Sequence, residues 1–276
     1  MIRRRTLLQR SAIACGASAA AFWRAGHAQS GPAASIRVAA AADLQFALDS
    51  VARQFEAETG QSVSLSFGSS GNFGQQISRG LRVDLFMSAD EAIVRTLARA
   101  GLTRVLGATS ATGPTRHDEG ELYAIGRIAL LLAKSSIITA DPALAGLKAG
   151  WPGVSKFALA NPEHAPYGRA AQQALVRLGL WELVSRKLVL GDNVAQATQF
   201  VTSGAAQAGI TALSLALAPE VARSTSHVAL PADLHGPLRQ RMVLLKSASP
   251  AAVMFYDYLQ TPASRTRLAH YGFSAP

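Results

Sequence analysis

Four places in this 276-residue chain end a short apolar run in small or polar residues and then open a stretch of helical period. They are Ala42-Asp43, Ser69-Ser70, Tyr167-Gly168 and Asp192-Asn193-Val194. A helix start carries unpaired backbone N–H groups and the positive end of a dipole, worth roughly half a charge. Several such starts converging on one point form an anion site without any Lys or Arg. Taken singly, each is no more than a structural cap, since capping residues open most helices. Templates for catalysis are missing: the chain has no H-E-x-x-H, C-x-x-C, G-x-S-x-G, S-x-x-K or G-x-x-x-x-G-K-[ST]. Its six histidines are scattered singly, and His164, the one nearest a junction, reads as a loop residue. An enzyme built on this chain would have to draw on Asp43, Asp192 and His164 as its acid–base set.

The elements that position these junctions follow from hydrophobic period. Ile36 to Ala42 is a small-residue apolar strand, and Leu44, Ala47, Leu48, Val51 and Phe55 then form one helical face that stops near Gly60. Val63, Leu65 and Phe67 alternate with serines as a half-buried strand. A polar helix containing Ile77 follows, then a strand at 83–87 and a helix capped by Asp90. A glycine-containing polar stretch at 107–121 breaks the rhythm before an apolar strand at 125–133. Beyond it lie strands at 157–160, 187–190, 208–212 and 239–245, with helices at 168–178, 194–203, 250–259 and 263–271. Strand and helix alternate throughout, the pattern of βαβ units and a mostly parallel α/β sheet.

Composition bounds the rest. Hydrophobic residues make up 49% and charged residues 16%, which is globular and excludes a disordered chain. One cysteine excludes an internal disulfide, a four-thiolate zinc site and an iron–sulfur cluster. The net charge of +10 raises the question of nucleic acid. Much of that charge sits in residues 1–28, where Arg3, Arg4, Arg5 and Arg10 precede an apolar run ending in Gly26-His27-Ala28, a cleavable export signal with a twin-arginine look. Cleavage after Ala28 removes five arginines and lowers the charge to +5, so no nucleic-acid partner is expected. The run is too short to span a membrane. Cys15 lies inside it, and the rival reading is a lipidated cysteine.

The colinear segments AAAADLQFALDSVARQFEAETG (39–60), VSLSFGSSGNFGQQISRG (63–80), VDLFMSAD (83–90), LANPEHAPYGRAAQQAL (159–175), GDNVAQA (191–197), AGITALS (208–214) and FYDYLQTPASRTRLAHYGF (255–273) resemble the periplasmic molybdate-binding proteins of ABC-type uptake systems. The resemblance covers nearly all of the chain after the signal. It implies a two-lobed type II periplasmic binding fold with two crossing strands and an oxyanion cleft between the lobes. The expected lobes are 29–126 plus 215–276, and 127–214. It further implies a periplasmic monomer that is no enzyme, needs no cofactor and delivers molybdate, and tungstate too, to a membrane permease; sulfate, phosphate and chromate are the alternative anions. By motif position Ala42, Asp43, Ser70, Tyr167 and Val194 are the expected oxyanion ligands, with no residue bonding a metal directly. Two positions depart from the family pattern. Asp43 puts a carboxylate where many members have serine, and Ala212 stands where some have a ligand-binding tyrosine, a phenol that Tyr167 would replace. A carboxylate facing a dianion is repelled, so Asp43 is expected to turn away and cap the amide of Gln45 or Phe46, or else to be protonated when ligand is bound.

Overall fold

The computed structural model describes residues 35–104 and 119–276. The expected signal at 1–28, Cys15 within it and most of the polar stretch at 107–121 lie outside the described residues. Strand β1 (Ile36–Ala41) is buried on both faces from Val38 onward, and its three alanines allow close approach from either side. A 3-10 turn over Ala42–Leu44 takes the place of the expected end of this strand and leads into helix α1 (Gln45–Thr59). That helix buries Ala47, Leu48, Val51, Ala52 and Phe55, and ends at Gly60, whose φ of 70° is the left-handed conformation that glycine adopts without a Cβ clash.

The first lobe continues through β2 (Val63–Gly68), α2 (Ser70–Ser78), β3 (Leu85–Ser88), α3 (Glu91–Arg99) and β4 (Glu121–Gly126). Arg127 alone separates β4 from β5 (Ile128–Ala133), yet the two strands belong to different sheets. The run at 125–133 that reads as one apolar strand is therefore the crossing between lobes. The second lobe holds α4 (Ala145–Gly150), β6 (Phe157–Ala160), α5 (Pro166–Arg177), α6 (Trp181–Val184), β7 (Leu188–Gly191), α7 (Val194–Thr202), β8 (Ala208–Ala212), α8 (Leu213–Ala216), α9 (Pro219–Ala222) and β9 (Thr225–Ala229). The chain then returns to the first sheet as β10 (Leu238–Leu244) and finishes with α10 (Pro250–Leu259) and α11 (Pro262–His270).

Each lobe is a five-stranded sheet, β2-β1-β3-β10-β4 and β7-β6-β8-β5-β9, with helices against it. Both sheets are mixed, which corrects the mostly parallel reading. β10 runs antiparallel to β3 and β4, and β5 antiparallel to β8 and β9, because the crossing strands enter each sheet from the opposite lobe. The pairing of Thr225–Ala229 with β5 also moves the return to the first sheet from the expected 214/215 boundary to the segment before Leu238. Each lobe has its own core. Phe55 against Phe255, at 4.9 Å between ring centroids, anchors one, and Leu130, Phe157 and Leu175 sit in the other.

Candidate functional site

The expected site residues arrive from two lobes. Ala42 and Asp43 lie in the turn after β1, Ser70 at the start of α2, Tyr167 in the first turn of α5 and Val194 at the start of α7. All five line one small cavity, together with Gly68, Ala89, Ala165 and Asn193. Its free volume of about 10 Å³ is close to that of a single water. Among the described residues no Lys, Arg or His lines it. A wider cleft of about 720 Å³ opens alongside, shares Ala42 and Asn193, and is walled by Gln45, Phe46, Phe67, Gln196 and Gln199.

Local chemistry leaves donors facing this cavity. Asn193 caps α7 by accepting from the amides of Ala195 and Gln196, at 3.0 Å each, while the first-turn N–H of Val194 keeps no partner within the helix. Ser70 is 1% exposed, and its Oγ accepts from the Ala89 amide at 3.0 Å, so its own hydroxyl hydrogen remains to be donated. Ser69 is occupied elsewhere: its hydroxyl donates to the His164 carbonyl at 2.6 Å across the lobes. Gly71 N–H donates to the same carbonyl at 3.1 Å. Arg169 of α5 adds an ion pair to Asp90, the cap of α3, at 2.6 Å. His164 thus joins the two lobes through its backbone carbonyl.

Asp43 departs from its expected role as a cap. The 3-10 turn is entered at Ala41 and has no side-chain cap bond, which leaves Asp43 within the turn and its carboxylate free to reach other donors. Oδ2 accepts from the Tyr167 hydroxyl at 2.9 Å and from Gln240 Nε2 at 2.5 Å. Gln240 is held in turn by the Tyr123 hydroxyl, which donates to its Oε1 at 2.7 Å. These two residues sit where the β10–β4 register shifts, an irregularity of the kind that re-aims side chains at sites. Gly126 makes room for the group: a Cβ there would stand 2.3 Å from the Tyr167 hydroxyl. Burial pushes the Asp43 carboxyl up to about 6, against the opposing effect of the Gln240 and Tyr167 hydrogen bonds and its own amide. Burial and the neighbouring Asp43 charge hold both tyrosines well above their usual range, so they act as neutral donors.

The Tyr167 hydroxyl is therefore engaged with Asp43, and Ala212, fully buried in β8, lies outside the cavity wall. The acid–base set considered from sequence is dispersed: Asp192 borders the wide cleft, and His164 a groove with Gly71 and Arg169. Gln240 and Tyr123 escaped the sequence reading. Their one sequence signal is a glutamine flanked by Arg239 and Arg241 in β10, and that glutamine is fully buried. Among the described residues no group of three His, Cys, Asp or Glu is placed to hold a metal ion.

The bacterial extracellular solute-binding protein family model matches residues 36–274. The molybdate-binding protein ModA of Azotobacter vinelandii is 35% identical over 87% of this chain and 90% of its own, and that of Rhodobacter capsulatus is 32% identical over 88% and 90%. The solved periplasmic molybdate-binding protein of Azotobacter vinelandii superimposes with a TM-score of 0.76 at 29% identity, over 87% of this chain and 99% of that one. With two α/β lobes that both line one cavity, and matches that run the length of both, the chain belongs to the family of bacterial extracellular solute-binding proteins.

Proposed function

We propose that this protein captures molybdate in the periplasm and delivers it to the permease of an ABC transporter, without catalysing a reaction. The observation that carries the reading is the convergence of neutral donors from both lobes on one enclosed cavity: the Ser70 hydroxyl, the Val194 amide, and the amides at the starts of α5 and the Ala42–Leu44 turn. A fully ionised oxyanion needs only donors, whereas phosphate species that keep a proton need an acceptor as well. The molybdate-binding relatives from two genera support the choice of anion. Tungstate, nearly the same size, fits the same donors, so both are bound, by a monomer. The N-terminal 28 residues supply export.

Isothermal titration with molybdate, tungstate, sulfate, phosphate and chromate tests this. Heat with the first two and none with sulfate or phosphate is the expected result. Heat only from sulfate or phosphate overturns the assignment.

A further inference from the structure

The buried carboxylate is the feature that a plain neutral-donor site leaves unexplained. Asp43 is 1% exposed and lines the cavity that the anion would enter. Its two oxygens differ. Oδ2 already accepts two hydrogen bonds, from Tyr167 and Gln240, and both donors are fixed: Gln240 Nε2 also donates to the Tyr167 oxygen at 3.0 Å, and Tyr123 holds the far end of the amide. Oδ1 is buried and has no partner among the described residues. A buried acceptor without a partner is costly, and few native side chains carry one. With Oδ2 saturated, Oδ1 is the oxygen left to carry a proton, on a residue that lines the cavity the anion would enter.

Among the described residues no cation pairs with Asp43. β4 places Tyr123 against Gln240, and β10 presents Gln240 to Asp43, while Arg239 and Arg241 turn to Glu91. α5 presents Tyr167, while Arg169 turns to Asp90. β2, α7 and α8 carry no ionisable side chain, and of the groups on α1, Arg53 pairs with Asp49, while Glu56 accepts from the Val63 amide and Glu58 from Gln54. An ionised Asp43 beside a bound dianion would therefore have no cation among the described residues to offset the repulsion.

We propose that Asp43 takes a proton from solvent onto Oδ1 as the oxyanion binds, so that the carboxyl becomes a hydrogen-bond donor to the ligand and capture is coupled to uptake of one proton. Asp43 is then a specificity-determining residue whose contribution depends on pH. This rests on the oxyanion reading above and deepens it. The burial that raises the carboxyl to about 6 in the free protein brings the proton within reach near neutrality, and a dianion beside it raises the value further. Affinity is therefore greatest at low pH and falls as pH rises past the free-protein value, by up to about tenfold per pH unit, until Asp43 stays ionised in both states.

Titration of the intact protein with sodium molybdate between pH 5.5 and 8.5, in buffers of different ionisation enthalpy, reads this directly. About one proton taken up per molybdate near pH 7.5 is expected. Asp43→Asn mimics the protonated carboxyl with a fixed donor; it should bind more tightly than the parent at pH 8 and take up no proton. Tyr167→Phe removes a bond that favours the ionised form, so it should keep the uptake and move its window to higher pH. Tight molybdate binding by the parent with no proton exchange overturns the proposal, as does uptake that persists in Asp43→Asn, which would put the proton on the anion or another group. The parent measurement decides the matter even if Asp43→Asn does not fold. Absence of molybdate binding at every pH overturns the oxyanion reading itself and is distinct from both.

Discussion

At the scale of single residues, the two adjacent serines of the 63–80 segment have different work. Ser69 spends its hydroxyl on the His164 carbonyl, whereas Ser70 accepts from Ala89 and keeps its hydrogen for the cavity. A hydrogen bond to a charged partner contributes about 1.5–3 kcal/mol. Ser70→Ala is therefore expected to weaken molybdate binding about 10- to 100-fold by titration, and Ser69→Ala to do less. Equal affinity of Ser70→Ala and the parent would place the anion elsewhere. Asp43 also leaves a mark on ligand-free stability. Its folded value of about 6 lies above the ordinary 3.8, so the folded state binds the proton more tightly than the unfolded chain does. The ionised group costs stability in full above about pH 6, by roughly 3 kcal/mol, and the cost fades as pH falls to 3.8. Asp43→Asn should accordingly raise the Tm at pH 7.5, with a gain that shrinks toward pH 4 in melts followed by circular dichroism. A gain independent of pH would assign the effect to packing instead.

At the scale of elements, the start of α2 docks against the turn before α5. A Cβ at Gly71 would stand 2.3 Å from the His164 carbonyl oxygen, a backbone atom that cannot move without its turn. Gly71→Ala must push the two apart, and Ser70 rides on the same helix, so its hydroxyl moves away from Val194 and Tyr167. Loss of affinity of more than about tenfold is expected with the far-UV spectrum unchanged. Binding equal to the parent's would show that the seam yields without disturbing the site. The Arg169–Asp90 pair crosses the same seam, but its side chains are 38% and 28% exposed, and such pairs contribute little. Arg169→Gln should weaken binding only a few-fold at low salt, and the difference should vanish near 0.5 M salt by titration. The Gly71–His164 contact joins segments that the sequence shows separately, as a polar helix start and a loop histidine. What it lacked was their adjacency, since Ser69 and His164 are 95 residues apart.

At the scale of the whole molecule, the cavity as it stands has room for about one water, and the lobes bridge it through His164, Arg169 and the Asp43–Tyr167 bond. An anion with four oxygens can enter only if the lobes part. They are linked by Arg127 on one side and by the segment between Ala229 and Leu238 on the other, where few backbone dihedrals need to change. A ligand that bonds to both lobes selects the closed arrangement. Small-angle scattering is expected to give a larger radius of gyration without ligand than with molybdate. An unchanged radius, with tight binding confirmed, would mean that the lobes do not open for entry.

What the sequence by itself determined is what neighbours along the chain decide. The face of α1, the cap and span of α10 from Pro250 to Leu259, and β8 at 208–212 follow from period, proline position and caps, and those forces act within a few residues. The helix starts at Ser70, Tyr167 and Val194 were legible for the same reason, because an unpaired amide is a property of a helix end. Tertiary structure alone decided which sheet each strand joined. Arg127 splits one apolar run into two lobes, and the polar strand Thr225–Ala229 shows no alternation and is held by pairing with β5. It also decided the state of Asp43. The strand-to-helix junction that carries this residue is legible in the sequence, but the partners that saturate Oδ2 come from 124 and 197 residues away, and the burial that raises its proton affinity exists only once both lobes close around it. Desolvation and long-range hydrogen bonds depend on which surfaces meet, so no local pattern encodes them residue by residue.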